Sequence, residues 1–233
     1  LGGAERHWEM LRRSLENRGI AADIVKLPVR EHTLDDLLDA YESFGLLDLS
    51  HVDLVITGKY PAWMVQHPNH VVWMLHPLRG LYDTYNPAAH EAETLPDTPQ
   101  ARHLAAELSD PPANLGDFEV MDLAREVTAQ IRERQVPEHE GTPASPADSA
   151  SALEIPSQLS AAVIRLLERL ALSPRRIRRH LAISGVVADR PGYFPAGVRH
   201  EVLIPPSCLE EPPPTDPGKG LLCVGRLDNP KRV

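Results

Sequence analysis

Apolar positions along this chain recur at two periods, and the alternation between the periods predicts an α/β protein. Within residues 5–18, Trp8, Leu11 and Leu15 stand three and four apart, the stripe of one helix face, and Gly19 follows as a C′ stop. AADIVKLP (21–28) reads as a short strand ended by Pro28. Leu34, Leu37, Leu38 and Tyr41 return to helical spacing, with Asp35, Asp36 and Asp39 expected on the solvated face. VDLVITG (52–58) and HVVWMLH (70–76) are continuous apolar runs of strand length. Runs of that kind, separated by helices, predict a parallel sheet covered on both faces.

Helical spacing reappears over 117–135 and 159–172, where Leu166, Leu167 and Leu170 share a stripe. Between them, residues 136–157 are rich in Pro, Ser, Ala and acid. Such a stretch buries too little apolar area to offset its ordering entropy, so it reads as a mobile insertion. HLAIS (180–184) and HEVLIPP (200–206) are two more short strands. PPSCLEEPPPTDPGKG is then a stiff connector leading into GLLCVG, a further buried strand. The expected organisation is a Rossmann-like α/β domain over 1–199 and a last strand with a Pro-rich linker over 200–219. A second domain opens at 220–233.

Composition narrows the function classes. The 233 residues are 42% hydrophobic and 24% charged, enough for a real core. A net charge of −9 argues against a general nucleic-acid binder, which needs a basic footprint to release counterions. The two cysteines, Cys208 and Cys223, give no disulfide framework, so a reducing compartment is the default. No apolar run approaches the ~20 residues of a membrane-spanning helix. The chain shows no signal peptide and no initiator Met, and it reads as a fragment.

Several residues have chemistry at suitable places. Gly2-Gly3 before a helix has the form of a loop that lets backbone amides approach a phosphate, although the same pair also makes an ordinary tight turn. Arg226 and Lys231 flank the turn after the last strand and could clamp a diphosphate. Spacing alone favours the plainer reading, a solvated basic turn. His76 ends an apolar strand and is followed by Arg79, Tyr82 and Asp83. Ligands of open parallel sheets sit beyond the strand carboxyl ends, which is where His76 belongs, unless it only caps the strand. His67, His70 and His76 lack metal-ligand spacing and have no acid or thiol to complete a site. No nucleophile elbow, Ser-His-Asp spacing or P-loop is present.

Taken in order, four stretches resemble the family 4 (group 1) glycosyltransferases. GGAERHWEMLRRSLENRG is similar to their amino-terminal glycine loop and helix, and WMLHPLRGLYD to their His-x-x-Arg-x-x-Tyr-Asp strand end. AISGVVADRPGYFPAGVRHEVLIPPS is similar to the segment before their domain linker, and LLCVGRLDNPKRV to the opening of their second domain. The resemblance implies the amino-terminal half of a GT-B fold, two Rossmann-like domains across a cleft. It implies transfer of a sugar from a nucleotide-diphosphate-sugar donor to an acceptor hydroxyl, usually with retention.

By that resemblance Arg226 and Lys231 would hold the donor diphosphate, Gly2 and Gly3 would let backbone amides approach the phosphates or acceptor from the facing domain, and His76 would sit beside the donor sugar or its phosphate. Arg79, Tyr82 and Asp83 belong to the same strand-end motif without separate roles. The family's Glu-x7-Glu donor motif would follow beyond Val233. No tightly bound cofactor or metal is implied, and the partners would be a nucleotide-diphosphate sugar and a glycan or lipid-linked acceptor. The implied location is cytoplasmic, with peripheral association at the inner face of the membrane. A nucleotide-sugar epimerase on the same fold and a truncated non-catalytic binding domain are the alternative readings.

Overall fold

The computed structural model describes residues 3–91, 93–135 and 153–205. They fall into two compact units: Lys26–Ile204 form one, and the chain before Lys26 belongs to the other. In the smaller unit, α1 (Gly3–Glu16) carries a surface network in which Glu9 accepts from Arg12 and Arg13. Gly19 follows with a φ of 76°, left-handed backbone that glycine adopts at no steric cost.

The larger unit is built on four described strands, β1 (Val55–Lys59), β2 (His70–His76), β3 (Arg179–Ala182) and β4 (His200–Val202). They pair in that order and every pairing is parallel. The parallel sheet with flanking helices is thus the observed fold class. β2 shows why the apolar runs are continuous. Val72 and Met74 join the helix-packed core, while the alternate Trp73 and Leu75 are buried as well.

Four helices of this unit supply that core: α2 (Leu34–Gly45), α3 (Pro99–Ser109), α4 (Asp117–Gln135) and α5 (Gln158–Ala171). In α2, Leu34, Leu37, Leu38, Tyr41 and Phe44 are buried at spacings of three and four. Each such burial is worth about 1.5–3 kcal/mol relative to exposure, so the stripe, not local propensity, holds the helix in place. Reciprocal caps set two helix starts. Thr33 Oγ1 accepts from Asp36 N–H and Asp36 Oδ2 accepts from Thr33 N–H, both at 3.2 Å. Ser157 and Ser160 do the same for α5 at 3.0 and 2.9 Å. A single turn, α6 (Gly185–Ala188), connects β3 to β4.

Four expectations are corrected. Residues 21–28 form no strand, and Val25 is 53% exposed. A strand is made by a partner's hydrogen bonds, and β propensity without a pairing edge leaves the chain irregular. The acidic side of α2 is not merely solvated. Asp36 is the cap, Asp35 pairs with Arg132 and accepts from Thr128, and Asp39 pairs with Arg125, tying α2 to α4. The expected insertion ends early, because Leu153 is 8% exposed, Glu154 bridges Thr33, and the α5 cap Ser157 is fully buried. Its remainder, 136–152, lies outside the described residues, as do Cys208, Cys223 and the segment 220–233. β4 is shorter than the predicted 200–206, since Pro205 and Pro206 have no N–H to give a ladder.

Candidate functional site at the strand carboxyl ends

An all-parallel sheet brings every strand's carboxyl end to one edge, and two side chains with chemistry meet there. A register irregularity between Thr57 and Lys59 sets Lys59 opposite His76. Tyr60 lies next, its ring 6.3 Å from the His76 ring between centroids, with the Lys59 ammonium 5.1 Å from its own centroid. The Tyr60 hydroxyl donates to Glu31 at 2.6 Å, fixing the ring. The segment Arg79–Leu81 then turns as a short 3₁₀ helix.

His76 is half-buried, and its Nδ1 lies 2.9 Å from the Pro77 carbonyl oxygen. A carbonyl only accepts, so Nδ1 carries the hydrogen and Nε2 presents its lone pair. Burial lowers the imidazole's pKa from its ordinary value, the Pro77 carbonyl opposes that, and the Lys59 and Arg79 charges lower it further. At neutral pH the ring is therefore uncharged, with a basic nitrogen beside two cations. Such a group accepts a hydrogen bond or a proton from a hydroxyl, and the flanking Lys59 and Arg79 favour an anionic ligand.

The other members of the strand-end motif point elsewhere. The Tyr82 hydroxyl faces the core and donates to Glu168 Oε2, while Tyr41 donates to Glu168 Oε1 at 2.6 Å. Glu168 is 2% exposed, and burial pushes its carboxyl up to about 7 against the two hydroxyl hydrogen bonds and Arg165, which lower it. Arg165 completes the support: its Nε donates to the Leu81 carbonyl at 2.9 Å, and its guanidinium lies over the Tyr82 and Tyr85 rings. Asp83 accepts from Arg79 Nε at 2.7 Å, from Arg190 Nη1 at 2.5 Å and from the Tyr193 hydroxyl at 2.9 Å. Tyr82 and Asp83 thus brace the strand-end segment.

Of the other histidines singled out in the sequence, His67 and His70 do not enter this constellation. Gly3 begins α1 in the smaller unit, and nothing stands within 4 Å of where a Cβ would be. Gly2, Arg226 and Lys231 lie outside the described residues. His70 sits at the opposite end of β2 from His76, buried, with Nε2 2.8 Å from Thr57 Oγ1. His67 Nε2 donates to the Val52 carbonyl at 3.0 Å. No group of three metal-capable side chains occurs among the described residues.

Lys59 and Glu168 were the residues missed from sequence. Lys59 ends the VITG run just as His76 ends its own, so the same strand-end reasoning finds it. Glu168 is a lone acid on the buried α5 stripe, a position where a carboxylate is costly without partners. Comparison with known proteins adds no assignment: no family model, curated protein or solved structure matches the chain. No described helix is long and apolar enough to cross a membrane.

Proposed function

We propose that the chain is the acceptor-side half of a GT-B glycosyltransferase of the family 4 type, acting on a nucleotide-diphosphate sugar. The supporting observation is His76, uncharged, with a free Nε2 beside Lys59 at the carboxyl edge of the sheet. In this reading Nε2 accepts a hydrogen bond from a hydroxyl of the donor sugar, and Lys59 and Arg79 bias the edge toward anions. The four sequence motifs in family order supply the rest. Gly2 and Gly3 admit amides to the phosphates, and Arg226 and Lys231 hold the departing diphosphate, where charge builds as the glycosyl bond breaks. No bound metal is required in this reading. The acceptor is a glycan or lipid-linked hydroxyl, and the protein works in the cytoplasm at the inner face of the membrane.

The test uses the protein with both domains present and follows release of nucleoside diphosphate and formation of glycoside from a panel of sugar nucleotides. Arg226→Ala is expected to lower kcat/KM by about tenfold to a few hundredfold, the value of a charge-assisted hydrogen bond in a closed cleft. Arg226→Lys recovers only part, because it keeps charge but loses the fork. His76→Ala lowers the same parameter. Near-wild-type values for Arg226→Ala and His76→Ala end the assignment. An isomerised sugar nucleotide without free diphosphate replaces it with an epimerase. The 233-residue chain alone is expected not to turn over donor.

A further inference from the structure

A cavity of about 620 Å³ opens between α5 and the 191–196 loop. That volume is within the range of small-molecule sites, about 300–1,000 Å³. Its walls are of two kinds. Leu108, Leu172 and Phe194 make an apolar surface, while Arg165 and Arg169 stand one helical turn apart on the same face of α5. Neither arginine is within ion-pair distance of a described carboxylate, although the Arg165 charge does lower the Glu168 pKa. Arg165 is already fixed by the Leu81 carbonyl, which its Nε and Nη2 both reach, and by the Tyr82 and Tyr85 rings, and its Nη1 donates to no described acceptor.

We propose that this cavity is a binding site for an amphipathic anion, its apolar body against Leu108, Leu172 and Phe194 and its head group on Arg165 and Arg169. Glu168 is the one acid in the lining, and both its oxygens are occupied by the Tyr41 and Tyr82 hydroxyls. Two guanidiniums outweigh that single carboxyl even when it is ionised, so around pH 7 the lining carries an excess of positive charge over a largely apolar surface. A purely apolar ligand leaves the two guanidiniums unused, and a small inorganic anion leaves the leucines and Phe194 wet. An alkyl or aryl chain ending in a sulfonate, carboxylate or phosphate satisfies both walls. This site borders the strand-end segment, since Tyr82, Arg165 and Glu168 in its lining also brace that segment.

Isothermal titration of the 233-residue chain with 1-octanesulfonate, a probe whose charge is constant with pH, tests the assignment against inorganic sulfate and 1-octanol. Octanesulfonate is expected to bind at least about tenfold more tightly than either. Arg169→Gln, which removes a charge that no described fold contact uses, should weaken it by about tenfold. Ala162→Leu, which fills the cavity from α5 and leaves both arginines, should weaken it comparably. Circular dichroism confirms that each variant is folded. Octanesulfonate binding that is absent, or unchanged in both folded variants, overturns the proposal.

Discussion

Two groups next to the same segment respond to burial alike, yet they are left with different hydrogen-bonding capacity. His76, at the top of β2, is half-buried and loses its charge, yet one ring nitrogen remains open to a ligand. Glu168, beneath the segment, also moves toward neutrality, but both its oxygens are taken by tyrosines from other elements. Burial acts on both by disfavouring the charged form. The difference lies in unsatisfied valence, so a shifted group at the edge can do chemistry while a shifted one below holds the edge in shape.

If that contrast is right, the largest effect belongs to Glu168→Ala. It strands two buried hydroxyls and opens a cavity, and urea unfolding should show a loss of about 3 kcal/mol or more. A loss under 1 kcal/mol would mean that water replaces the carboxylate and that Tyr82 is not braced.

The pH dependence of stability sharpens the comparison. Glu168 has its folded-state pKa raised to about 7 from an ordinary 4.5. Its contribution is fully present below the unfolded value and is lost as pH rises through about 7, a few kcal/mol at most. Glu168→Gln has no such titration, so the wild-type protein should lose stability relative to it between pH 5 and pH 8. Parallel curves would place the wild-type carboxyl in its usual range. Tyr41→Phe should raise the Glu168 pKa further, because the Tyr41 hydrogen bond favours the ionised form, and should cost about 1–2 kcal/mol.

His76 should show the reverse balance. His76→Gln is expected to change stability by well under 1 kcal/mol while removing the open nitrogen. In the wild type, nitrogen NMR should find the Nδ1–H tautomer at pH 7 and a midpoint below the ordinary histidine value. The smallest effect is Lys59→Met. It removes a charge that lowers the His76 pKa, so that midpoint should rise. A fall, or a Nε2–H tautomer, breaks the proposed electrostatics of the edge.

Much of the scaffold could be read from the chain because its signals are local. HVVWMLH becomes β2 over the same seven residues, since a strand buried on both faces needs an apolar side chain at every position. The 117–135 helix also appears at its predicted bounds, its inward positions falling at helical spacing. The position of His76 at a strand end followed from the same reasoning. AADIVKLP carried an equally clear local pattern and formed nothing, because a strand also needs an edge to pair with.

What only the tertiary structure decided is where the side chains after β2 point. Tyr82 meets Glu168, 86 residues onward in sequence, and Glu168 meets Tyr41 across 127. Asp83 is held by Arg190 and Tyr193 from a loop more than 100 residues later. A sequence motif shows that His, Arg, Tyr and Asp are close along the chain. Desolvation and hydrogen bonds from distant elements determine which of them faces outward, and these exist only once α2, α5 and the 190–193 loop have packed around the segment.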